Sequence, residues 1–131
     1  MKIHAFRLTK GMDLKKSIEK YVVDKNIKAG VILSAVGCLY QVCLRTADGK
    51  TVKTIKDDYE IVSATGTLSM DGCHIHISLS DTNLQTIGGH LKDNCLVNVT
   101  AEIVLGEFEE YEFSREFDAT TGYKELIIKG R

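Results

Sequence analysis

Only one stretch of this chain carries a helical period, while nearly everything after Gly30 reads as strand, and that imbalance decides what it can fold into. Asp13 is a good N-cap, and Leu14, Ile18, Tyr21 and Val22 follow at helical spacing. Lys15, Lys16, Glu19, Lys20 and Lys25 stay on the opposite side, so one helix is expected over residues 13–26. Lys2 to Leu8 reads as an opening strand with Ile3, Ala5 and Arg7 on one side. Gly30 to Cys38 is apolar on both faces, as a central strand is. Tyr40 to Thr46 and Lys50 to Ile55 flank the turn Ala47-Asp48-Gly49; Tyr59 to Ser69 and Cys73 to Ser80 flank Met70-Asp71-Gly72. Asp81 to Gly89 reads as a polar, glycine-ended loop. Cys95 to Leu105 alternates apolar and polar residues, and Glu107 to Phe117 and Glu125 to Lys129 close the chain as strands. The expected class is α+β: a large, mostly antiparallel β-sheet with one main helix packed on it. With no proline, linker or repeat, residues 1–131 read as a single domain. One helix cannot cover such a sheet, so self-association is expected.

Charge narrows the function classes. Lysine and arginine together number 17 against 18 acidic residues, a net charge of −1, and there is no tryptophan. Neutralising phosphates needs a basic face, so non-specific nucleic-acid binding is not expected as the main activity. The opening residues are too short and interrupted for a signal peptide, and no apolar run approaches the roughly 18 residues of a membrane span. Cys38, Cys43, Cys73 and Cys95 contain no CxxC pair, which points to reduced thiols and a cytoplasmic protein. Gly37, Gly66, Gly88 and Gly89 lack the lysine and the strand-to-helix context of a phosphate loop.

The chemistry gathers in one window. In Cys73-His74-Ile75-His76-Ile77-Ser78-Leu79-Ser80, His74 and His76 share a strand face with Ser78 and Ser80. His90 follows Gly88-Gly89, a pair that lets the backbone pass close to its neighbours. Three neutral imidazoles are what a three-histidine metal site needs, with a fourth position left for water. The alternative is a pair of surface histidines on a solvated face. Zinc is the expected ion, although nickel or iron would accept the same ligands. His4, on the first strand, reads as structural or exposed. Glu102 shares the polar face of its strand with Asn98 and Thr100. It could orient a ligand imidazole or act as a general base if that strand neighbours the histidine strand; otherwise it is an exposed carboxylate. Ser78 and Asp81 are candidates for supporting the ligands, while Arg7, Glu60 and Arg115 read as members of structural ion pairs. Glu107, Glu109, Glu110 and Glu112 read as a solvated edge that discourages strand addition.

Several stretches, taken together and in order, resemble the plants-and-prokaryotes-conserved (PPC) domain. They are Phe6-Arg7-Leu8 with Gly11, Ser34-Ala35-Val36-Gly37, Tyr59-Glu60-Ile61-Val62-Ser63 with Thr65-Gly66-Thr67, and Gly72-Cys73-His74-Ile75-His76. Gly88-Gly89-His90-Leu91, Thr100-Ala101-Glu102-Ile103-Val104, Phe117-Asp118 and Thr121-Gly122-Tyr123 follow. The resemblance implies an α+β homotrimer and a divalent metal, zinc by expectation, held by His74, His76 and His90. It also implies a link to DNA, because plant members carry the domain behind an AT-hook. This chain has no proline and therefore no such hook, so direct DNA binding by the chain alone is not expected. A more distant similarity is to acetolactate decarboxylase, which also holds zinc with a His-x-His pair and a later histidine. Two functions follow: a metal-binding assembly module, or a zinc-dependent enzyme acting on a small anionic carbonyl substrate, decarboxylase- or hydrolase-like.

Overall fold

The computed structural model describes residues 1–131 as eight strands and one helix. In chain order they are β1 (Lys2–Thr9), α1 (Leu14–Asp24), β2 (Gly30–Arg45), β3 (Val52–Ser69), β4 (Gly72–Ser80), β5 (Thr86–Leu91), β6 (Leu96–Glu107), β7 (Tyr111–Asp118) and β8 (Tyr123–Gly130). Six strands form an antiparallel sheet in the order β1-β6-β2-β3-β4-β5. The far end of β5 then returns to pair with β2, Leu44 opposite Leu91 and Arg45 opposite His90. The expected α+β class and single helix hold. No helix is long and apolar enough to cross a membrane.

Helix α1 starts where the cap predicts, the Asp13 carboxylate accepting from the Lys16 amide at 3.0 Å. It stops at Lys25, two residues before Ile27, because Asn26 turns left-handed. Its buried stripe, Leu14, Ile18 and Val22, packs on the inner sheet face, where Leu39, Leu68, Ile75, Leu79, Ile103 and Leu105 are excluded from water. On β1 it is His4, Phe6 and Leu8 that point inward, so Ile3, Ala5 and Arg7 lie on the outer face. His4 is structural: its Nε2 stands 2.8 Å from a Glu107 carboxylate oxygen and its Nδ1 3.1 Å from the Tyr21 hydroxyl. Since a carboxylate accepts, Nε2–H donates to Glu107 and Nδ1 is left to accept from Tyr21. Glu107 is thus part of an internal pair and not of a solvated edge.

Three boundaries differ from expectation. The break expected at residue 39 is a bulge inside one continuous β2, with register shifts between Leu39 and Gln41 against both β3 and β6. β3 likewise runs through Lys56-Asp57-Asp58 without a break. The loop expected to reach Gly89 ends at Gln85, held by Asp81, whose carboxylate accepts from the Asn83 and Gln85 amides. Gly88 and Gly89 are strand residues of β5. Their lack of a side chain reads as a loop signal, yet here it serves close packing: a Cβ on Gly88 would meet the Ile77 carbonyl oxygen at 2.8 Å, and one on Gly89 the Arg45 carbonyl oxygen at 2.9 Å.

The last two strands form a separate two-stranded sheet, with Tyr111 opposite Gly130 and Asp118 opposite Tyr123. No residue beyond Gly106 is buried, so this hairpin is docked on the surface. Phe113 N–H reaches the Lys28 carbonyl at 2.9 Å, and Arg115 N–H reaches the Asp71 carboxylate at 3.1 Å.

The glycine pair yields a direct test. Gly89→Ala should destabilise the protein by about 1–3 kcal/mol, the usual range for inserting an atom into close-packed backbone, read by thermal or urea unfolding. Gly130→Ala, with nothing within 4 Å of the new Cβ, should melt like wild type. Equal melting of Gly89→Ala and wild type would contradict the packing described.

Candidate metal centre

The three histidines meet because β5 is held between β4 and β2. His76 lies directly opposite His90 across the β4–β5 ladder, and His74, two residues earlier, shares the outer face with both. Their ring centroids stand 4.8 Å (His74–His76), 5.0 Å (His74–His90) and 5.5 Å (His76–His90) apart. One nitrogen from each falls within a 4.8 Å span. Thr65 and Thr67 of β3 pair with His76 and His74, forming the floor beside them.

The donor set fits a divalent ion. The Nε2 atoms of His74 and His76 are 3.1 Å apart. Two nitrogens about 2.05 Å from a tetrahedral zinc stand ~3.3 Å apart, so this edge already has chelating length. A nitrogen of His90 lies within 4.8 Å of both, and an imidazole turns readily about its terminal torsion. Nδ1 of His90 is buried without a hydrogen-bond partner, a cost of about 1–3 kcal/mol. The surroundings of His74 and His90 favour the neutral, ligating form of those two rings. Burial lowers the affinity of His74 for a proton, reinforced by His76, Arg115 and Arg45; burial followed by Arg45 brings His90 down to about 4. No thiol competes: burial and then Glu19 push Cys73 up to about 12, and burial raises Cys95 to about 11.

The other expected residues divide. Glu102 does not neighbour the histidines within the chain: β6 is bonded to β1 and β2, whereas β4 lies between β3 and β5. The carboxylates that share a cleft with His74 are instead Glu19, Asp71 and Glu125. Ser78 does line the cleft beside His76, while Asp81 is spent on its own turn. Arg7 forms no ion pair; its Nε donates to Thr100 Oγ1 at 2.9 Å. Glu60 lies in a separate depression with Asp58 and Cys38. Arg115 is likewise free of carboxylate pairing, and its Nη2 donates to Thr67 Oγ1 at 3.0 Å, next to His74. Arg45, opposite His90, is a site residue that nothing in its local sequence marks, because the β2–β5 pairing is non-local.

Two open clefts flank the imidazoles, one of about 420 Å³ bordered by His74 and His90, the other of about 570 Å³ bordered by His76 and His90. The convergent set holds no fourth protein ligand. Such a centre presents one side to solvent and can accept a small molecule there.

Comparison with known proteins gives the family and the fold. The model of the Plants and Prokaryotes Conserved (PCC) domain matches residues 1–109. The chain is 44% identical over 129 residues, 98% of its length, to the bifunctional protein GlmU of a Synechococcus strain, of which it spans 20%. A hypothetical protein from Salmonella cholerae-suis superposes with a TM-score of 0.95 at 33% identity, covering 99% of this chain and 94% of that one. A metal-containing protein from Archaeoglobus fulgidus superposes with a TM-score of 0.85 at 28% identity, covering 97% and 94%. The likeness to an acetolactate decarboxylase-like protein of Staphylococcus aureus concerns the fold alone, with a TM-score of 0.56 at 14% identity over 81% of this chain and 52% of that one.

The depressed basicity of His90 sets the sign of a pH effect. The unfolded chain takes up its proton near 6.5 and the folded one only near 4, so metal-free protein should be most stable above pH 6.5 and lose melting temperature as pH falls through that window. His90→Gln should flatten the decline; superimposable pH profiles would contradict the burial of this ring.

Proposed function

Because the chain belongs to the Plants and Prokaryotes Conserved (PCC) domain family, we propose that it is a metal-binding module in which His74, His76 and His90 hold one divalent ion per chain. The carrying observation is the convergence of three imidazoles without a fourth protein ligand. A closed structural zinc site needs four; three leave a position for a ligand from outside. Zinc is the preferred ion, and it would act there as a Lewis acid on a ligand oxygen. The metal-containing Archaeoglobus relative supports the same reading.

The module works as an assembly, a homotrimer. What supports association is the outer sheet face, where Ile3, Leu33, Val36 and Val62 remain 47–58% exposed on β1, β2 and β3. Its place beside other activities is supported by the Synechococcus relatives, in which a closely similar stretch makes up about a fifth of a longer protein. The net charge of −1 supports ligands other than DNA. The second reading is a zinc-dependent enzyme acting on a small anionic carbonyl compound, favoured by the open clefts beside the histidines. In that case the general base is not Glu102 of the same chain, which the sheet order keeps apart from β4.

Cobalt substitution tests the open position. Protein stripped with chelator and given one equivalent of cobalt(II) should show a visible absorption band that shifts on adding azide; an unmoved band would mean a closed, four-ligand site. Light scattering in solution should give close to three times the 14.5 kDa chain mass, and a 14.5 kDa species at micromolar concentration would overturn the trimer. Duplex DNA should not be retarded at about 150 mM salt, where weak electrostatic contacts are lost.

A further inference from the structure

We propose that Arg45 and Arg115 form an anion-recognition subsite beside the histidine centre, and that the β7–β8 hairpin is the element that selects the ligand. The class of ligand is a small organic dianion with two carboxylates, one directed to the histidine-held ion and the other to the guanidiniums. The inference rests on the metal-binding reading above.

Both arginines border the 420 Å³ cleft that contains His74 and His90, and neither forms an ion pair. That is unusual spending of charge, since a guanidinium offers five donors in a rigid fork suited to carboxylates. Arg45 Nε is buried without a hydrogen-bond partner, and the guanidinium lies 5.7 Å from the centroid of the Tyr123 ring. A cation stacked on an aromatic face is oriented while keeping its edge free for an anion. Arg115 uses one nitrogen on Thr67 Oγ1, and its backbone is pinned by Asp71, so its head is positioned with donors to spare. Arg45 stands opposite His90 across the β2–β5 ladder, and Thr67, which Arg115 bonds, stands opposite His74 across β3–β4.

The acidic groups of the cleft do not cancel this field equally. Glu19 is engaged by Lys15 at 3.0 Å and by the Cys73 amide, and Asp71 accepts from Arg115 N–H. Glu125 is the remaining carboxylate, and it stands on the same hairpin as Arg115 and Tyr123. Thus one surface hairpin contributes two cations, Arg115 and Lys124, an aromatic platform and a carboxylate to a cleft whose metal ligands come from the main sheet. The family match ends at residue 109, ahead of that hairpin. Arg45 lies within the matched part, on β2, whereas Arg115 and Tyr123 lie beyond it.

Malonate is the probe, titrated calorimetrically at constant ionic strength into zinc-loaded and into chelator-stripped protein, with zinc content measured on each sample. Zinc-loaded wild type should bind malonate, and Arg45→Gln and Arg115→Gln should each weaken it at least tenfold with zinc content unchanged, since each loses charge-assisted bonds. Lys20→Gln, which removes the same charge from the outer side of α1, should bind within about twofold of wild type, because an exposed, screened charge contributes little. Binding that is absent in zinc-loaded wild type, or equal in wild type and both arginine variants, overturns the subsite. Failure of the protein to take up zinc overturns instead the metal reading, and is visible in the zinc content before any malonate is added.

Discussion

The closure of β5 onto β2 is the constraint on which the candidate site depends. A strand of six residues has to fit between β4 on one side and the end of β2 on the other, and it does so because Gly88 and Gly89 remove two side chains from contacts already at 2.8 and 2.9 Å. Once β5 is seated, His90 stands opposite His76 on one neighbour and opposite Arg45 on the other. Register alone then puts three imidazoles and a guanidinium on one face, because side chains alternate along each strand. The site is a consequence of backbone packing, and its precision comes from strands and not from a loop.

Two buried polar arrangements in the fold have opposite characters. At His4 both ring nitrogens are satisfied, by Glu107 and Tyr21, in a cluster that ties β1, α1 and β6 together. At His90 one nitrogen is buried and orphaned, and the nearby Arg45 Nε is orphaned as well. Native proteins seldom leave such groups without partners unless a ligand supplies them. The contrast separates a histidine whose ring nitrogens are both paired within the fold from one with a buried nitrogen left over, although the two are indistinguishable as residue types.

Most of the architecture was legible in the chain, and the histidine face was legible with it. The alternation of Cys73 to Ser80 put His74 and His76 on one side, and that is where β4 displays them. What escaped was non-local. Gly88-Gly89 carries the composition of a loop, and only the proximity of Ile77 and Arg45 turns it into strand. Glu102 looked eligible because it faces outward on an alternating strand, but the sheet order separates β6 from β4 by two strands. Arg45 and Arg115 converge from β2 and from β7, distant in sequence and without a motif between them, so no spacing argument could have joined them.

Whether three histidines of one chain hold a metal ion is decided by elemental analysis of untagged protein beside His76→Ala. Wild type should carry about one equivalent of zinc or a chemically similar divalent ion per chain, lost in the variant, because removing one of three ligands leaves too few to retain it. No metal in wild type, or the same content in both proteins, would contradict metal binding there and leave these imidazoles as solvated residues on an uncovered sheet face.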